Sequence, residues 1–265
     1  EASFQAVHHQ FVASAKLAAY AKTINPDMMI GTMMADCTAY PYSCDPDDVN
    51  LALRRNRMQY FYTDVQFQGA YPQYALNYFA ENDIHLEITD EDKQLLKDHP
   101  MDYLALSYYY SQMVDASKNT MSPSSVTPNP NLKANPWGWA VDPQGLYNSL
   151  SQYWDRYHKS IIIAENGFGM YDKLEDGKVH DDYRISYLSE HIAQMKRAMY
   201  DGADVIAYCA WGPIDIISCS SAQMEKRYGF IYVDLDNEGK GSAQRIKKDS
   251  FEWYKQVIAS NGETL

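Results

Sequence analysis

The stretch that most narrows what this chain can fold into is Ser160-Ile161-Ile162-Ile163-Ala164-Glu165-Asn166-Gly167. Three consecutive β-branched apolar residues read as a strand buried on both faces, as in parallel sheets layered between helices. Asn166-Gly167 is turn chemistry, so the strand stops there with a carboxylate at its C-terminal end. In α/β barrels that end of each strand carries the catalytic groups, which makes Glu165 a candidate site residue. From these residues alone, a Glu that merely caps the following loop is an equal alternative.

The remaining chain alternates strands with helices. Strands are expected over 28–35, from 102 through the tyrosines at 108–110, over 160–165 and over 205–211. A helix over 1–22 carries Phe4, Val7, Phe11, Ala15 and Ala18 on one face and stops at Asn25-Pro26. It opens the chain without an initiator Met, as a segment of something longer would. A loop over 37–48 leads to helical pieces over 51–61 and 71–79, joined by 62–70. Thr89-Asp90-Glu91-Asp92 opens a solvated surface helix. Residues 111–141 form a loop of the length that lines or covers a site. Helices follow over 145–157, from Asp181-Asp182 to Gly202, and over 251–258. This is the pattern of right-handed βα units in a parallel sheet, with four strands where a closed barrel has eight.

Composition excludes some classes. A chain of 265 residues with 46% hydrophobic and 22% charged residues can bury a substantial core. A net charge of −12 argues against nucleic acid or an anionic membrane as partner. No segment has the length of an apolar membrane span, and the first residues lack a signal peptide's pattern. Cys37, Cys44, Cys209 and Cys219 form no CxxC pair, which fits reduced thiols in the cytoplasm and no bound metal. His8 and His9 read as helix residues rather than ligands.

Ile163-Ala164-Glu165-Asn166-Gly167-Phe168 resembles the nucleophile motif of glycoside hydrolase family 1, with Ala164 in place of the usual Thr. The resemblance runs over essentially the whole chain and points to the bacterial 6-phospho-β-glucosidase branch. It implies an α/β fold, a (β/α)8 TIM barrel, of which residues 1–265 are the C-terminal half, strands five to eight with their helices. They would form a single partial domain lacking the N-terminal half. A retaining glycosidase uses two carboxylates about 5 to 5.5 Å apart. The resemblance implies that Glu165 is the nucleophile. The family's acid/base Glu lies in a Thr-Phe/Leu-Asn-Glu-Pro-like motif that is not found here, and Glu1 precedes a helix rather than following a strand.

Ser107-Tyr108-Tyr109 is similar to the family's Asn-Tyr-Tyr, which implies that Tyr109 donates its hydroxyl to Glu165; Ser107 for Asn is a departure. Trp211-Gly212-Pro213-Ile214-Asp215 resembles Trp-Ser-Leu-x-Asp, making Trp211 a platform under the sugar. In the loop over 218–230, the branch's pattern assigns Ser218, Lys226 and Tyr228 to a 6-phosphate, with Ser220 or Ser221 as substitutes for Ser218. Without the family, Lys226-Arg227 would read as a surface basic pair. Cys219 leans toward the gluco configuration. In 137–146, Asp142-Pro143 reads as a helix start and Trp137 as a candidate aglycone contact.

The implied activity is hydrolysis of 6-phospho-β-D-glucosides with retention, without a metal or organic cofactor. Two rivals stand beside it. One is a non-catalytic sugar-phosphate-binding fragment or pseudoenzyme, motivated by the missing acid/base motif. The other is structural: four strands leave two unpaired edges, which implies self-association or pairing with an N-terminal half.

Overall fold

The computed structural model describes residues 1–265. Its centre is a four-stranded parallel sheet of β1 (Gly31–Asp36), β3 (Tyr103–Tyr108), β5 (Ser160–Asn166) and β6 (Val205–Ala210), paired in chain order. The helices α2 (Pro46–Gln68), α3 (Gln73–Glu81) and α4 (Asp90–Asp98) cross from β1 to β3. Helix α5 (Pro143–Tyr157) crosses to β5, and α6 (Asp182–Tyr200) to β6. Helix α1 (Ala2–Ile24) precedes the sheet and α7 (Asp249–Ala259) closes the chain. The sheet is an open arc of βα units rather than a closed ring.

Leu104, Leu106, Tyr108, Ile161 and Ile163 all point to the helix side, where they pack with Leu146, Leu150 and Tyr153 of α5. The expectation that Ile161–Ile163 is buried on both faces holds only on this side. Ile162 faces the concave side of the arc and is partly exposed. Met33 of β1 and Ile206 of β6 are exposed at 56% and 52%, because these are the two edge strands.

Three expectations are corrected. The first strand starts at Gly31 rather than 28, since side chains tie down the residues before it: Asp102 accepts from the Ile30 amide at 2.8 Å and Lys22 donates to the Met28 carbonyl. The helix expected over 51–61 runs on unbroken to Gln68. Thr63 and Asp64, within the stretch expected to join two helices, are buried, with Asp64 accepting from Arg156, Tyr74 and Tyr157. Gly69, at φ 68°, then ends α2. Lastly, the two long loops each hold a short strand, β2 (Ala39–Pro41) and β4 (Gln112–Val114), paired in parallel. The buried Arg55 guanidinium holds the next turn by donating to the carbonyls of Thr120, Ser122, Pro123 and Ser125. After β6, an antiparallel hairpin of β7 (Ile231–Val233) and β8 (Arg245–Lys247) leads to α7. No helix is long and apolar enough to cross a membrane.

Replacing Leu106, fully buried at the centre of the main core, with Ala is expected to cost about 2–5 kcal/mol. Urea unfolding should show a lower midpoint at unchanged slope. Tyr200→Ala, at a side chain 90% exposed, should stay within about 0.5 kcal/mol of the parent.

Candidate active site

Strict alternation along β5 would send Glu165 to the helix side with Ile161 and Ile163. The register prevents this. Leu106 pairs with Ile163, but the next residue, Ser107, pairs with Glu165, so Ala164 is an extra residue in a bulge. The bulge turns Glu165 toward the concave side and Asn166 into the helix side. Asn166 is fully buried there: its amide donates to the Tyr108 carbonyl at 2.7 Å, and its Oδ1 accepts from Tyr208 Oη at 2.7 Å. Its carbonyl accepts from the Trp211 amide at 2.8 Å, which ties β5's end to the residue following β6.

Tyr109 Oη donates to Glu165 Oε2 at 2.8 Å. Burial pushes the Tyr109 phenol up, and the bond to Glu165 adds to that, so the phenol stays protonated as a donor. The Tyr109 carbonyl is itself held by Tyr187 Oη at 2.9 Å. Ser107, the departure from Asn, is buried and its hydroxyl has no partner.

The loop over 211–230 lies against this pair. Tyr228's ring is 6.2 Å from that of Tyr109. A Cβ on Gly167 would sit 3.2 Å from Trp211 Cβ and 3.4 Å from Tyr228, so Trp211, Tyr228 and the turn after Glu165 are in close approach. The Lys226 ammonium lies 5.8 Å from the Tyr228 ring. Lys226 Nζ donates to Ser220 Oγ at 3.2 Å, and Ser220 Oγ is 3.2 Å from Ser218 Oγ. The two serines, Lys226 and Tyr228 therefore form one polar cluster, and Ser220 stands between Ser218 and the ammonium. Gly169 is needed beside them: a Cβ there would be 2.9 Å from the Tyr228 ring and 3.0 Å from Lys226 Cε.

Lys226 is 1% exposed and Arg227 4%, which overturns the reading of a surface basic pair. Lys226 carries no carboxylate partner; its ammonium lies 3.7 Å over the Trp139 ring and 5.0 Å from that of Trp137. Burial pushes it down to about 8. A buried cation held by rings and a hydroxyl is poised to receive an anion. Trp137 stacks on Tyr171 at 4.6 Å and donates to Gln223 Oε1 at 2.9 Å, on the Lys226 side of the site. Trp139 is the indole that approaches Tyr109, at 5.6 Å. Sequence reading missed it, although Trp-x-Trp around Gly138, with φ 79°, signals two rings turned onto one site. Asp142 caps α5 by accepting from the Gly145 amide at 2.9 Å, as expected of a helix start.

A family model described as glycosyl hydrolase family 1 matches residues 1–263. The chain is 48% identical over 270 residues to the aryl-phospho-β-D-glucosidase BglH of Bacillus subtilis (strain 168), covering 100% of this chain and 58% of the relative. It is also 48% identical to the phospho-cellobiase of Klebsiella oxytoca, over 99% of this chain and 58% of that protein. The family 1 β-glucosidase structure from Thermotoga maritima superposes with a TM-score of 0.83 at 26% identity, over 97% of this chain and 56% of its own. The chain thus spans under two thirds of the length of the proteins it matches.

The Lys226 ammonium is expected to titrate near 8 in a 13Cε NMR titration, well below ordinary lysines. Saturating inorganic phosphate should move it upward, because a neighbouring anion favours the charged form.

Proposed function

Because the chain belongs to glycosyl hydrolase family 1, we propose that it forms the part of a retaining 6-phospho-β-glucosidase that carries the nucleophile and the phosphate site. The observation that carries this reading is the arrangement of two unlike groups at one end of one sheet. A carboxylate oriented by Tyr109 stands beside a cluster whose only charge is the buried Lys226. The names of the relatives, an aryl-phospho-β-D-glucosidase and a phospho-cellobiase, agree with it.

In this reading Lys226, Tyr228 and the Ser218–Ser220 pair receive the 6-phosphate, and Trp211 lies beneath the sugar ring. A carboxylate at position 218 would repel the phosphate; a hydroxyl donates to it. Glu165 attacks the anomeric carbon as the glycosidic bond breaks and the electron pair leaves with the aglycone oxygen. The resulting glycosyl ester is released by water, with two inversions giving retention. Tyr109 holds the carboxylate ionised and aimed. The second carboxyl group, which in its protonated form gives its proton to the leaving oxygen, comes from a segment that completes the barrel along the free edges of β1 and β6. An apolar cleft of about 500 Å³ between β6, α6 and α7, lined by Ile206, Met199 and Ile258, receives part of that segment. The substrate's place is the cytoplasm, in keeping with four free cysteines.

The test is intact mass of the chain with 2,4-dinitrophenyl 6-phospho-β-glucoside, whose leaving group needs little acid assistance. An adduct of one phosphoglucosyl unit is expected, and it should be lost in Glu165→Gln. Its formation should weaken as pH rises through about 8, where unliganded Lys226 loses its proton and the phosphate loses its countercharge. Neither adduct nor turnover, together with glucose 6-phosphate binding that needs Lys226, would favour the second reading, a non-catalytic sugar-phosphate binder. In sedimentation, the chain alone should self-associate or pair with an added N-terminal half; a stable dilute monomer would sink that part.

A further inference from the structure

Between Lys226 and Tyr228 stands Arg227, whose side chain points away from the cluster that they form. In an extended segment neighbouring side chains take opposite faces, so whatever fixes Arg227 also fixes the two donors beside it. Its guanidinium donates to the carbonyls of Val233 and Leu235, each at 2.7 Å, and to Asp215 Oδ2 at 3.1 Å, and lies 4.1 Å over the Tyr232 ring. Its backbone exchanges two 3.0 Å hydrogen bonds with Met170, in the loop that follows Glu165.

Behind it lies a charge-balanced buried network. Asp215 Oδ1 accepts from Lys248 at 2.7 Å and from the Gly229 amide at 2.9 Å. Lys248 also pairs with Asp172, and Asp172 with Arg184, which pairs in turn with Asp181. Arg184 then donates to the Arg227 carbonyl at 3.0 Å, which returns the network to its start. Three basic and three acidic side chains balance, and all six are almost wholly buried.

We propose that Arg227 is the positioning residue of the phosphate site, locking Lys226 and Tyr228 in register with the loop that follows Glu165. This rests on the phosphate reading given above. It assigns Arg227 no contact with substrate: it acts through its two neighbours.

The test compares the 265-residue chain with its Arg227→Lys, Lys226→Met and double variants by NMR titration with glucose 6-phosphate. Arg227→Lys keeps a charge but loses the fork that spans Asp215 and two carbonyls. It should raise Kd roughly tenfold or more, as for loss of a well-placed charged donor. In the Lys226→Met background it should add less than about twofold, since a residue acting through Lys226 has nothing left to position. The Lys226 titration should move in Arg227→Lys from about 8 toward the ordinary 10.5 as the ammonium leaves its buried seat. Tyr232→Leu, which removes the ring beneath the guanidinium without touching a charge, should give the same pattern more weakly and serves if Arg227→Lys does not fold. Unchanged affinity in a folded Arg227 or Tyr232 variant, or an effect that simply adds to Lys226→Met, would overturn the proposal. If Lys226→Met leaves glucose 6-phosphate binding intact, the phosphate reading falls, and the Lys226 titration still decides whether Arg227 seats the lysine.

Discussion

Side chains of a β-strand alternate between two faces, and this arc depends on one break in that rule. The helix side is filled by Ile161 and Ile163, which leaves a following odd-numbered residue only an apolar destination. The extra residue at Ala164 moves Glu165 to the open side and gives the buried position to Asn166, whose amide can be satisfied there. An ionised carboxylate on the helix side would stand unpaired in a core, at a cost of several kcal/mol. The bulge avoids that cost and puts Glu165 opposite Tyr109 in the same step.

A second constraint is charge. The chain carries −12 overall, yet its concave side holds a buried lysine without a carboxylate partner. The buried carboxylates of the adjoining network are occupied elsewhere. Asp215 is taken by Arg227, Lys248 and the Gly229 amide, and Asp172 by Arg184 and Lys248. Burial alone would push the Asp172 carboxyl up, but Arg184 and Lys248 hold it below its usual value. Removing any one of these charges would strand its partner, typically at about 3–5 kcal/mol. The network therefore keeps its carboxylates away from Lys226, and the cluster over 218–228 stays positive in an acidic protein.

Much of the architecture was legible because it follows from periodicity. The apolar stripe of α5 and the four strand cores lie where hydrophobic spacing puts them, as do Leu188 and Ile192 of α6, whereas Met199, expected in the same buried stripe, is exposed. The errors came from polar residues whose partners are distant in sequence. The stretch over 62–70, expected to join two helices, stays helical to Gln68, and its Thr63 and Asp64 are satisfied by Arg156 and Tyr157, more than ninety residues away. In the site, Glu165, Tyr109, Trp211, Lys226 and Tyr228 are assigned through motif resemblance; local composition alone leaves Glu165 evenly between a site residue and a loop cap, and Lys226 on the surface. Gly169 carries no motif of its own, the sequence reading gives Trp139 no role, and Ser220 stands there only as a substitute for Ser218. Their importance is a matter of distance to Lys226 and Tyr228, which only the folded chain displays.

The seat of Lys226 over Trp139 has an optical consequence. An indole's emission responds to charge beside its ring, and here the charge is a single ammonium at 3.7 Å. Trp137, at 5.0 Å, shares the same cation. Any anion that draws the ammonium off these rings alters the surroundings of two of the chain's five tryptophans at once. The pocket thus contains its own fluorophore, and its occupancy can be read from light emitted by the unlabelled protein.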